Sequence, residues 1–170
     1  MEVTSAIRTK RAIRNFMDQP LPEESIHTIL NAGRRAQSAK NLQPWHFIAI
    51  QDRQTLVALS KHGHYAGHLA GAALGVAIIT PPPEQRFSVL FDAGQAAAYM
   101  QLAAWDLGIG SCLATIYEPA QSRKILGFPE DFHINIIISF GYPQIPDDIN
   151  RSPDRGGRRS WDDVVHWEKW

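Results

Sequence analysis

Ala36-Gln37-Ser38-Ala39-Lys40-Asn41-Leu42-Gln43-Pro44-Trp45-His46-Phe47 is the stretch on which the reading of this chain turns. It offers hydroxyl and amide groups and then runs into a strand-like segment. About thirty residues earlier lies a basic cluster, Arg8-x-Lys10-Arg11-x-x-Arg14. A phosphorylated aromatic ligand with polar edges would use both: the cations for its anion, the amides and hydroxyls for the rest. Neither segment resembles ordinary core or ordinary surface, and together they point to a bound nucleotide-like cofactor.

The 170 residues suffice for one domain with a substantial core, burying roughly 70% of the extended surface. An apolar content of 44% fits a globular chain and not a disordered one. Formal net charge is zero, so no global field favours nucleic acid or an acidic membrane. The cations gather near both ends, Arg8 to Arg14 and then Arg151, Arg155, Arg158 and Arg159. They could converge on one phosphate or form two separately solvated clusters. The single cysteine, Cys112, excludes an intramolecular disulfide and a cysteine-based zinc site, and its apolar surroundings read as core. The N-terminus lacks a signal-peptide pattern, and the longest apolar run, residues 69–80, is too short to span a bilayer. A cytoplasmic location is expected.

Pro20-Leu21-Pro22-Glu23-Glu24 is a helix start, with proline and acids in the first turn. Ile26, Ile29, Leu30 and Gly33 continue at helical spacing, and Arg34 and Arg35 suit the C-terminal end. Residues 45–50, 74–79, 111–114 and 134–140 read as strands; 53–61 and 119–126 read as short helices. The Ile136-Ile137-Ile138 run predicts a strand covered on both faces. Residues 88–107, rich in alanine, form the longest helix candidate, buried and open to close approach by a neighbour, a second subunit included. From Tyr142 the composition turns to proline, aspartate and glycine before Trp161, Trp167 and Trp170. Each tryptophan can bury about 150–250 Å², so this arm must dock on its own domain or on a partner.

Three segments in order resemble the FMN-dependent nitroreductase family. Lys10-Arg11-Ala12-Ile13-Arg14-Asn15-Phe16 is similar to its N-terminal R-R-S-x-R-x-F signature, and Gln37 to Trp45 to its P-S-x-x-N-x-Q-P-W segment. Asp92-Ala93-Gly94-Gln95-Ala96 and Leu107-Gly108-Ile109-Gly110 resemble its D-x-G-x-A helix and following turn. Gly157-Arg158-Arg159 with Val164-Val165 resembles the closing G-R-K-P and V-V pair.

The resemblance implies an α+β fold with a central mixed sheet flanked by helices, in an intertwined homodimer with two FMN sites at its interface. Residues 1–170 would form one FMN-binding domain, with 142–170 an arm docking on the partner. Lys10 and Arg11 would reach the phosphate, and Arg14 the pyrimidine edge. Gln37 (by its backbone), Ser38, Ala39 and Asn41 would come from the other subunit. Leu113, Ala114 and Thr115 would line the ring, with a backbone N–H near N5, and Arg158 or Arg159 would grip the phosphate. Two positions depart from the pattern: Ala12 stands for serine and Gln37 for proline. A lost hydrogen bond to a charged group costs about 1.5–3 kcal/mol, tenfold or more in affinity.

Arginine's planar fork gives a phosphate two donors at once, and a cation beside the pyrimidine stabilises reduced flavin. Hydride transfer at N5 asks for an open face and not for an acid or base, so the lack of a catalytic dyad fits. The implied activity is reduction of nitroaromatics, quinones or related small acceptors with NADPH or NADH in a ping-pong cycle. Two alternatives stand: the same fold and cofactor with dehalogenating, dehydrogenating or deazaflavin chemistry, or a non-catalytic binding protein. His62, His64 and His68 contain a metal-compatible spacing, but with no nearby carboxylate or cysteine they read as a flexible loop above the flavin, not a metal site. Asp92 reads as a helix residue bonding backbone or partner and not as a general acid; Trp45 reads as core. One Arg155-Gly156-Gly157-Arg158 motif on a neutral chain is weak evidence for RNA, and no nucleic-acid or membrane partner is expected.

Overall fold

In the computed structural model, residues 1–149 and 157–170 are described. Helix α1 (Val3–Thr9) leads to α2 (Glu23–Arg34), β1 (His46–Ile50), α3 (Arg53–Leu59) and β2 (Leu74–Thr80). Then follow α4 (Val89–Asp106), β3 (Gly110–Thr115), α5 (Pro119–Leu126) and β4 (His133–Gly141). Single 3-10 turns occupy Ala39–Asn41, Ala66–Gly71 and Pro146–Ile149.

The strands lie in the order β1-β2-β4-β3, and every neighbouring pair is antiparallel. The mixed character expected of the sheet is confined, among the described residues, to the parallel bridge between Ala12 and Ser111. All seven residues of β2 are buried, which explains an unbroken apolar run in place of alternation. One face of the sheet presents Val76, Ile78, Ile138 and Phe140 to α2 and α4. The other presents Ala77, Ile79, Ile134 and Ile137 to Leu56, Leu59 and Leu69. The isoleucine run is covered on both faces, as its composition requires.

Helix α2 begins where Pro22 and the two glutamates place it, burying Ile26, Ile29 and Gly33. Gly33 lets α2 cross α4 closely, because a Cβ there would overlap Met100 Cε. Small residues line the inner side of α4: Ala93, Ala96, Ala97 and Ala104 are buried along with Met100 and Trp105. Its other side leaves Leu90, Phe91 and Tyr99 exposed. Helix α1 has no counterpart in the sequence reading, for its only buried side chain is Ala6 and its pattern is weak.

The arm docks on its own domain only at its start, where Pro143 bridges Phe16 and Gln144 N donates to Asn15 O at 3.0 Å; its tryptophan-bearing end is exposed. Trp161, Trp167 and Trp170 are 66%, 78% and 100% exposed, and the nearest ring to Trp170 is His166, 4.4 Å away within the arm. Among the described residues no helix is long and apolar enough to cross a membrane.

Candidate cofactor site

The chain following α1 runs extended beside β3. Ile13 donates its backbone N–H to Ser111 O at 3.0 Å, and the Ile13 side chain packs where a Cβ on Gly110 would stand. Lys10, Arg11 and Arg14 are thereby set along the first half of the strand. Burial pushes the Lys10 ammonium below the ordinary lysine range, with proximity to Cys112 opposing. Arg11 Nε and Nη2 are buried and have no hydrogen-bond partner among the described residues. Buried guanidinium donors left without acceptors are costly unless an anion completes them. Arg14 is exposed and lines a cavity of about 440 Å³ with Asn15, Tyr65, Gly67 and His68.

On β3, Ala114 is 1% exposed while Leu113 and Thr115 face outward, so an apolar side chain and a hydroxyl flank the same open surface. Cys112 is buried and its thiol is pushed up by burial, against the nearby charges of Arg14 and Lys10. It is core, as read. Trp45 is also core, 7% exposed and stacked on Phe47.

The segment 38–43 is a tight turn with an unusual backbone. Lys40, Asn41 and Gln43 all have positive φ, at 55°, 54° and 48°. Non-glycine residues rarely adopt this region without contacts that enforce it. Here Ala39 N donates to Asp92 Oδ1 at 2.9 Å, and Arg86 Nη2 donates to Ala39 O at 3.2 Å. Inside the turn, Gln43 N donates to Ser38 Oγ at 2.9 Å. Asp92 is 2% exposed in the first turn of α4. It bonds backbone, in line with the reading that denied it an acid's role. Gln37, in the place of proline, is exposed.

Within one chain these groups do not meet. The turn is tied to α4 at Asp92, and the cation segment to the far end, where Trp105 Nε1 donates to Thr9 Oγ1 at 2.9 Å. At 1.5 Å per residue the two anchors lie roughly 20 Å apart along the helix. Arg158 and Arg159 are exposed on the arm, where Arg159 Nη2 donates to Asp163 O at 2.6 Å. Arg151 and Arg155 lie outside the described residues.

The three histidines diverge. His62 Nδ1 pairs with Ser122 Oγ at 2.9 Å, the His64 ring tilts against Tyr117, and His68 Nδ1 pairs with Ser139 Oγ at 2.8 Å. No group of three or more metal-binding side chains occurs among the described residues. The expected flexible loop is corrected for His68, which is 8% exposed in the 3-10 turn. Arg53 holds that turn, donating to Ala70 O at 2.7 Å and Ala72 O at 3.2 Å. Burial and the charge of Arg14 lower the His68 imidazole, while the Leu113 carbonyl opposes them. His68, Tyr65 and Arg86 were not singled out as cofactor-site residues from sequence. Nothing in their spacing announces them: His68 and Arg86 bond distant segments, and Tyr65 lines the cavity beside Arg14. A cavity of about 1160 Å³ between α2 and β1 touches the 38–43 turn only through Gln43.

This fold recurs in solved structures. An FMN-dependent nitroreductase from Clostridium difficile R20291 superimposes with a TM-score of 0.83 at 28% identity, over 98% of this chain and 99% of that one. The NADPH:FMN oxidoreductase of Vibrio harveyi gives 0.86 at 22% identity, covering 99% and 77%, a likeness of fold alone. The architecture is the nitroreductase-like α+β fold. A relative in Archaeoglobus fulgidus, named for NADH dehydrogenase or NAD(P)H nitroreductase activity, is 32% identical over 176 residues, 99% of each chain. With the sequence model of the nitroreductase family matching residues 7–64 and 61–142, the chain belongs to that family.

Proposed function

We propose that this protein is an FMN-dependent oxidoreductase that reduces nitroaromatics, quinones or related small acceptors with NADH or NADPH, acting as a homodimer. The observation that carries the reading is Arg11: two buried guanidinium nitrogens without partners among the described residues, beside Lys10 and Arg14. That donor set fits a dianionic phosphate, which accepts several charge-assisted hydrogen bonds at once. The names of the Clostridium and Archaeoglobus relatives support FMN and a reduced nicotinamide as the redox pair.

Lys10 and Arg11 hold the phosphate in this reading, with Arg158 or Arg159 reaching it from the arm. Arg14 faces the pyrimidine edge, and Leu113, Ala114 and Thr115 form the wall for the ring. Gln37, Ser38, Ala39 and Asn41 of a second copy close the site. FMN supplies hydride acceptance and donation at N5; the chain's own groups bind it, orient it and keep one face open. Arg14 places positive charge where electron density gathers on reduction, which favours the reduced form. The exposed tryptophans of the arm and the exposed Leu90, Phe91 and Tyr99 of α4 support a second copy as the missing cover.

Purified protein should show flavin absorbance, or acquire it on adding FMN, and oxidise NADH or NADPH when a nitroaromatic or quinone is supplied. Flavin-free protein that takes up no FMN would overturn the proposal. Bound FMN without turnover of either nicotinamide would keep the cofactor and remove the assigned reaction.

A further inference from the structure

The three positive-φ residues of the 38–43 turn lie among groups that the reaction itself does not use. Asp92 and Arg86 grip Ala39 from both sides, the carboxylate taking its N–H and the guanidinium its carbonyl. Arg86 is itself oriented, since its Nε donates to Ser88 Oγ at 2.9 Å. Asp92 stands in the first turn of α4 and Arg86 in the loop just before it, so the turn is fastened to the N-terminal end of that long helix. The strained backbone at Lys40, Asn41 and Gln43 needs such contacts to persist. Their effect is directional: Ser38 Oγ spends a lone pair on Gln43 N–H and keeps its own proton free to donate.

We infer that Asp92 and Arg86 are positioning residues that hold the Ser38–Asn41 turn in its cofactor-binding shape, and that they serve the site of the other protomer, not their own. The inference rests on the proposed function, because it takes the turn to complete a site built on the second copy's Lys10, Arg11 and Arg14. Its geometric support is the separation of anchors: Asp92 stands roughly 20 Å along α4 from the Trp105 end that holds the cation segment. A residue fixed at one end therefore cannot organise the other end within the same chain.

The test uses full-length protein and FMN titration followed by flavin fluorescence. Asp92→Ala leaves Ala39 N–H without its acceptor and should weaken FMN about tenfold or more, the usual cost of a charge-assisted bond. Asp92→Asn keeps an acceptor oxygen and should stay within about threefold of the parent, although it removes the charge. Arg86→Ala should weaken FMN by several-fold.

The decisive arm is a mixed dimer of an Arg11→Ala protomer and an Asp92→Ala protomer, carrying different affinity tags. If Asp92 acts across the interface, one site collects both defects and the other neither, so about half the parental FMN is bound at parental affinity. If Asp92 serves its own chain, both sites are damaged, no tight site returns, and the inference fails. Equal loss in Asp92→Ala and Asp92→Asn would also overturn it, by assigning the effect to charge and not to the grip on Ala39. Failure of the parent protein to bind FMN, or of Arg11→Ala to weaken it, would instead strike the proposed function.

Discussion

Trp105 Nε1 donates to Thr9 Oγ1 at 2.9 Å, joining the last turn of α4 to the residue just before Lys10 and Arg11. The indole is fully buried, and Thr9 in turn donates to Ser5 O at 2.8 Å, so helix α1, the cation segment and α4 share one anchor. Replacing Trp105 by Phe keeps most of the packing and deletes the donor. A neutral hydrogen bond of this kind contributes about 1 kcal/mol, and the melting temperature should fall by about 2–4 °C. Trp105→Ala should cost about 3–5 kcal/mol. Thermal melts of the two variants check this, and an unchanged midpoint for Trp105→Phe would remove the anchor from the account.

Arg11→Met separates stability from binding. The variant removes a guanidinium whose buried Nε and Nη2 lack partners among the described residues, so the FMN-free protein should melt no lower than the parent. Affinity for FMN should fall by about tenfold or more, as expected for lost charge-assisted bonds. Calorimetry on stripped protein beside flavin titration gives both numbers. A variant that loses stability and keeps FMN would reverse the assignment.

Ala12 stands where the family signature carries serine, and its side chain is exposed beside β3. Ala12→Ser should fit without repacking and add a donor. If the hydroxyl reaches the cofactor, FMN should bind about tenfold more tightly, within the ~1.5–3 kcal/mol of a bond to a charged group. Equal affinities in side-by-side titration would show that the missing hydroxyl is of no consequence here.

His68 gives the fold a pH dependence whose sign follows from its surroundings. Burial, aided by Arg14, holds the folded imidazole below its ordinary 6.5, so the unfolded chain takes up a proton first on acidification. The stability this neutral histidine contributes is present above 6.5 and is lost as pH falls through the folded value. Denaturant midpoints measured from pH 8 to about 5 should therefore decline on the acid side. His68→Gln, which can still bond Ser139 but does not titrate, should flatten that decline. An identical profile for parent and variant would assign the acid sensitivity elsewhere.

Much of the scaffold was legible along the chain because its signals are local. Proline and glutamate before an apolar helical stripe marked α2, the runs at 74–79 and 134–140 marked strands, and Ile136-Ile137-Ile138 marked the second of them as covered on both faces. Helix α1 escaped because it contributes one buried alanine, too little apolar pattern to register. His68 was read as part of a flexible loop since glycines flank it. In the fold it is buried against β4 and pairs with Ser139, which lies far away in sequence. Arg86 and Asp92 show the same limit at the candidate site. The motif identified the turn at Ser38, but the groups that hold it come from a segment more than forty residues later.

Sequence alone determined the composition of both polar segments, the alternation of helix and strand between them, and the family resemblance. Those follow from short-range spacing and from side-chain chemistry. Tertiary structure decided that the segments are fastened near opposite ends of α4, that two guanidinium nitrogens of Arg11 are buried without partners among the described residues, and that the tryptophans of the arm lie uncovered on their own protomer. Such facts depend on which distant residues share a helix end or a sheet edge, and no local periodicity encodes that.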